Sequence, residues 1–195
     1  MLFFLLRVIL VLAIAIGGGA YSAMYVIDHD FGLGAIRFGS WTAYPRRGGV
    51  LDNPYSRAQL ARSGEVPLGH AEGLAFTAAT DSTGAALDRT CLYRLSGKVP
   101  PARYWTLYAA AGNPARIVSG AGPLPASLHS RQLMRDTDNA FDIAVSPHAQ
   151  PGNWLPVAGG GSMRLVLTLY DTPVSADNSL SELALPQITR EGCGA

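Results

Sequence analysis

The feature that most restricts this chain is a run of twenty residues without a charge, Val8 to Ile27 (VILVLAIAIGGGAYSAMYVI), set between Arg7 and the acidic Asp28 and Asp30. As a helix rising ~1.5 Å per residue it spans roughly 30 Å, the hydrocarbon thickness of a bilayer. Leu2 to Leu6 and Val8 to Ile16 are apolar on every face, unlike the one-sided helix of a soluble core. Two readings compete. A cleaved secretory signal has an apolar stretch of roughly 7 to 15 residues with small residues before the cut, positions that Gly18 and Ala20 fill. A retained anchor accounts for more, because the run continues through Ala23, Met24, Val26 and Ile27. Residues 1–27 are therefore read as a transmembrane signal anchor in the lipid bilayer, with Arg7, Tyr21 and Tyr25 at its interfaces. The positive amino terminus and Arg7 face Asp28 and Asp30 across the span, which predicts an inside amino terminus and the rest of the chain outside the cytoplasm. Arg37, Arg46 and Arg47 weaken this contrast, but they precede a large domain, and large domains translocate largely regardless of charge.

About 165 residues follow the span, enough for one domain with a core of its own. Lys and Arg total 15 against 14 acidic residues, so the chain carries no basic face of the kind that displaces counterions from nucleic acid. The two cysteines, Cys91 and Cys193, both lie in the exported part, where an oxidising compartment favours a disulfide. Closing a loop of about a hundred residues is worth ~4.7 kcal/mol in the chain-entropy model, and it ties Glu191 to Ala195 back to an early strand. A free thiol at Cys193 is the alternative.

Local signals divide the chain into the anchor, a juxtamembrane connector with a first strand at 28–49, and a domain at 50–195. Trp41 to Tyr44 reads as that first strand. Asn53-Pro54 starts a short helix through Arg62, ended by Gly64. Strands are expected at 74–80, 90–95, 103–109, 115–118, 128–134, 141–145 and 164–170, with turns such as Asp81 to Gly84 between them. In 103–109, Tyr104, Thr106 and Tyr108 alternate with Trp105 and Leu107, the pattern of a strand whose two faces differ in burial. No strand-helix-strand rhythm appears. The fold class predicted is mainly β: an antiparallel β-sandwich or jelly-roll-like domain with one short helix, behind a single transmembrane helix.

Asn153-Trp154-Leu155-Pro156, followed by a glycine-rich turn and a strand ending Leu169-Tyr170, resembles the bacterial family called domain of unknown function 1214. Asn53 to Ala58, Phe76 with the Asp81 to Gly84 turn, Tyr93-Arg94 before Ser96-Gly97, and Ala102 to Leu107 also match. The resemblance implies a jelly-roll sandwich that is usually the second half of larger proteins. It supplies no catalytic residue set. This chain departs by carrying a membrane span where the first half is expected. An envelope protein bearing that half is thus the expected partner, and the location implied is the bacterial inner membrane with the domain in the periplasm.

No site chemistry stands out. His29, His70, His129 and His148 lack metal-ligand spacing, and Asp136, Asp138, Asn139 and Asp142 lack the glycine and closing glutamate of a calcium loop, so a polar turn is expected. No serine sits in a nucleophile turn, and Glu72, Asp88 and Asp142 are the carboxylates from which a glycosidase pair would be drawn. No catalytic residue, cofactor or metal is assigned. Trp41, Tyr104 and Trp154 are kept as a candidate binding face, set against the reading that such aromatics are core. The function expected is a membrane-anchored accessory or interaction module. The alternative is an envelope carbohydrate-binding module or hydrolase using a cleft of the sandwich.

Overall fold

The structure is a computed structural model, describing residues 1–29, 32, 34–49, 52–64, 66–69, 71–111, 127–173 and 183–194. The chain divides into two compact units, Met1–Leu33 with Arg47–Pro67, and Gly34–Arg46 with Leu68–Ala195.

The first unit holds both helices. Helix α1, Leu2–Asp28, has no buried residue and is long and apolar enough to cross a membrane. Helix α2, Pro54–Ser63, starts where the sequence predicts: the Asn53 side chain accepts from the Ser56 amide at 2.8 Å and Pro54 fills the first turn. It ends at Gly64, whose φ of 66° is the left-handed cap that a side chain disfavours. Gln59 Nε2 donates to the Val26 and His29 carbonyls, and Arg62 pairs with Asp28, so α2 packs on the last turn of α1. Helix α2 and the apolar helix lie in the same compact unit.

The second unit is a sandwich of two open sheets. One has the order β1 (Ile36–Phe38), β2 (Trp41–Ala43), β3 (Gly73–Ala78), β9 (Arg164–Tyr170), β5 (Tyr104–Ala110), β6 (Ser127–His129). The other runs β10 (Gln187–Cys193), β4 (Cys91–Gly97), β7 (Phe141–Ser146), β8 (Asn153–Pro156). All pairs are antiparallel except β7 with β8, which is parallel. Inward side chains of both sheets form one core, including Trp41, Phe76, Tyr93, Trp105, Ile143 and Leu167. Trp105 and Phe141, one from each sheet, sit 5.2 Å apart between ring centroids. Gly73 permits the tight approach of β3 to β9, since a Cβ there would meet the Leu169 carbonyl oxygen at 2.0 Å.

Four elements differ from the sequence reading. The strand expected at 128–134 stops at His129, where the chain turns and Gln132 N donates to the His129 carbonyl. The connector contains a strand, β1, and the Asn153–Pro156 loop is a strand, β8. Strand β10 carries a single buried side chain, Ile188, and so has no apolar alternation to announce it. The strand expected at 115–118 lies outside the described residues.

Candidate functional site

The richest surface cluster is built on the outward face of the six-stranded sheet. Strand alternation sends Trp105, Leu107, Leu165, Leu167 and Leu169 inward, so Tyr104, Thr106, Tyr108, Thr168 and Tyr170 face outward. Register then sets them in rows: Tyr104 opposite Tyr170, and His129, Thr106 and Thr168 across β6, β5 and β9. The Tyr104 ring lies 5.9 Å from that of Tyr170 and 5.6 Å from that of His129, all three half-buried. The Arg131 guanidinium stands 6.0 Å from the Tyr104 centroid. His129 Nδ1 accepts from the Arg131 amide at 3.3 Å. None of the side chains in these two rows is Asp, Glu, Lys or Arg. Such a corner offers ring faces for stacking and neutral donors and acceptors beside them.

Trp41 belongs elsewhere. It is 2% exposed, packs in the core, and its indole Nε1 donates to the Pro186 carbonyl at 2.8 Å. It also floors a cleft of about 740 Å³ between the β1–β2 turn and residues 183–187, lined by Phe38, Ser40, Ser82 and Gln187, with Arg37 its one charged wall. Trp154 is on the other sheet. It is opposite Ala144, which is opposite Arg94, all pointing away from the core that Leu155 and Ile143 enter. Its Nε1 donates to the Ser146 carbonyl at 3.0 Å. The three aromatics named from the sequence therefore do not form one face: one is core, and two are on opposite outer surfaces. Alternation placed Tyr104, but its neighbours Tyr170 and His129 come from strand pairing, which no local pattern announces.

The remaining candidates serve local structure. Glu72 accepts from the Gly69 amide, Asp88 from the Thr90 amide and hydroxyl, and Asp142 from the Ser96 hydroxyl. The Asp136–Ala140 segment is a polar turn, with Lys98 on Asp138 at 3.0 Å and Arg135 on Asn139 at 2.7 Å. Among the described residues no three His, Cys, Asp or Glu side chains are grouped to hold a metal. His29 Nδ1 lies 2.9 Å from the Tyr25 carbonyl, His148 is exposed, and His70 lies outside the described residues. Tyr21 and Tyr25 are exposed on α1, their rings 6.5 Å apart, and Arg7 is exposed near its start.

Cys91 and Cys193 face each other in register and are bonded, Sγ to Sγ 2.02 Å. At the other end of β10, Asp81 is buried and accepts from Thr83 N, Thr83 Oγ1 and Ala85 N, with Arg190 at 3.2 Å. Burial pushes the Asp81 carboxyl up, but these donors and Arg190 together hold it below the ordinary carboxylate range.

The model of a protein family of unknown function, DUF1214, matches residues 72–174. The chain belongs to the DUF1214 family. None of the curated proteins matches it. The VPA0106 protein from Vibrio parahaemolyticus has a similar crystal structure, at 20% identity and a TM-score of 0.55, over 71% of this chain and 36% of that one. An uncharacterized protein from Burkholderia cenocepacia matches with 16% identity and a TM-score of 0.39, over 76% of this chain and 45% of that one. The chain thus spans about a third of the length of VPA0106, whose likeness bears on the fold alone.

Within the DUF1214 region the motif residues hold the sandwich together. Asn153 Oδ1 accepts from Met134 N at 2.8 Å while Nδ2 donates to the carbonyls of Met134 and Asp142, so one amide clamps two neighbouring segments to β8. Tyr93 is fully buried, and its hydroxyl accepts from the Asp88 amide at 2.9 Å. Phe76 is core. Asn53 to Ala58 precede the matched DUF1214 range.

Proposed function

We propose that this chain is a single-pass envelope protein whose DUF1214 sandwich is held in the periplasm as an accessory module, beside a partner that carries the family's usual first half. The observation that carries this reading is α1, 27 residues with no buried side chain, because an apolar surface of that length is stable only where lipid covers it. A reporter active only outside the cytoplasm, fused after residue 195, is expected to be active, with the chain staying in the membrane through an alkaline wash. An inactive fusion overturns the orientation. Crosslinking in native membranes is expected to capture an envelope protein carrying that first half, and membranes that yield none overturn the partner.

A second reading rests on the corner of Tyr104, Tyr170 and His129. Aromatic and flanked by hydroxyls, with the Arg131 guanidinium beside Tyr104, it suits the face and hydroxyls of a neutral sugar ring. Titration with a neutral oligosaccharide, followed by chemical shifts of the aromatic ring protons, is expected to move the signals of Tyr104 and Tyr170. A Tyr104→Ala variant that responds as the native chain does would remove this corner from consideration.

A further inference from the structure

We infer that α2 is a membrane-surface helix, seated in the headgroup layer of the bilayer that α1 enters and binding phospholipid headgroups through its exposed side. This rests on the reading of α1 as a retained span. A helix of 27 residues is ~40 Å long, more than the ~30 Å hydrocarbon core, so its last turn reaches into the headgroup layer. That turn is where α2 docks. Gln59 Nε2 donates to the carbonyls of Val26 at 3.3 Å and His29 at 3.4 Å, which ties α2 to the end of α1. Arg62 pairs with the exposed Asp28, and such a charged pair belongs at the water-facing border of the apolar core rather than inside it. The two contacts fix the depth of α2 to that border.

The chemistry of α2 suits the place. Ser56 and Leu60 are buried within the unit, Arg57 and Ala61 are exposed together on one flank, and Tyr55 is exposed on the stripe of Gln59 and Arg62 that meets α1. A tyrosine prefers the interface because its ring is apolar and its hydroxyl wet, and a guanidinium pairs bidentately with phosphate. Tyr25, exposed one turn before the end of α1, adds a further interfacial ring. The occupant is therefore the lipid surface itself, continuous with the lipid that surrounds α1.

Because Cys91 and Cys193 are bonded to each other and are the chain's two cysteines, one introduced cysteine gives a single attachment point for a nitroxide label. The full chain is reconstituted in vesicles of phosphatidylcholine and phosphatidylglycerol, and collisions with a water-soluble nickel chelate are compared at Ile16→Cys, Ala61→Cys and Ala149→Cys. Relative to position 149, exposed in a sandwich loop, collisions are expected to fall about tenfold at 16 and about threefold at 61, the gradation of core against headgroup depth. Adding Arg57→Glu to the Ala61→Cys chain is expected to raise collisions at 61 about twofold, as like charge is repelled from phosphate. Protection at 16 with none at 61 overturns the inference and leaves the span standing. Equal exposure at 16 and 149 overturns the span and the inference with it. No response to Arg57→Glu overturns the headgroup role of that residue.

Discussion

Asn153 shows how a single side chain holds a fold together. Its amide makes one accepted and two donated hydrogen bonds to the main chain on either side of β8, so an alanine there strands three backbone groups at once. Asn153→Ala is expected to cost about 1–3 kcal/mol, read as a lower denaturant midpoint with an unchanged slope. Asp81 gives a pH signature. Its folded pKa lies below the ordinary value of about 3.9, so its stabilisation is complete above that value and is lost as pH falls through the folded pKa. Acid titration is therefore expected to show loss of stability below about pH 4, and Asp81→Asn is expected to be less stable at neutral pH with a flatter acid limb. A variant with an unchanged limb would remove Asp81 as the cause. Sequence made the motif around Asn153 visible but not its strand. Four residues ending in proline have no alternation, and what makes them a strand is the parallel ladder to β7. Tyr104 was legible for the opposite reason, since period two names a face, although it cannot name the neighbour across it.

At the scale of elements, β10 is the most exposed of the long strands and the most heavily fastened. Ser82 exchanges hydrogen bonds with the free edge of Ile188, its amide donating to the carbonyl and its hydroxyl accepting from the amide. That covers an edge otherwise open to strand addition. Arg94 pairs with Glu191, the Trp41 indole holds Pro186, and the disulfide closes the end. Cys193→Ser is expected to lower stability by up to ~4.7 kcal/mol, less wherever the reduced chain retains structure. Amide exchange is expected to accelerate across residues 187–193 before it does in β9. Equal exchange with and without the bridge would show that Asp81, Ser82 and Trp41 suffice. The strand was not legible because Ile188 is its one buried side chain, while the cysteine pairing was, because two cysteines leave a single bridge to make.

For the molecule as a whole, sequence conveyed the class and missed the wiring. Short β segments with turn residues between them announced a mainly β sandwich. Nothing local could announce that β9 lies between β3 and β5, since that order comes from pairings across 54 to 97 residues. The start and stop signals of α2 are local and legible, whereas its docking on α1 joins residues some thirty positions apart and is not. The redox state of the cysteines reports where the sandwich resides. In intact cells both thiols are expected to resist alkylation until a reductant is added, and a chain without α1, retained in the cytosol, is expected to alkylate freely. Free thiols in the intact chain would place the sandwich in a reducing compartment.

The pairing of β4 with β10, bridged across a sequence separation of 102 residues, also sets a timetable. During synthesis α1 is complete before either strand exists, and β4 meets β7 on one side first and β10 on the other only across that separation of 102 residues. One edge of the smaller sheet therefore stays open until the last strand has been made, and closure of the sandwich is a late event wherever the chain folds.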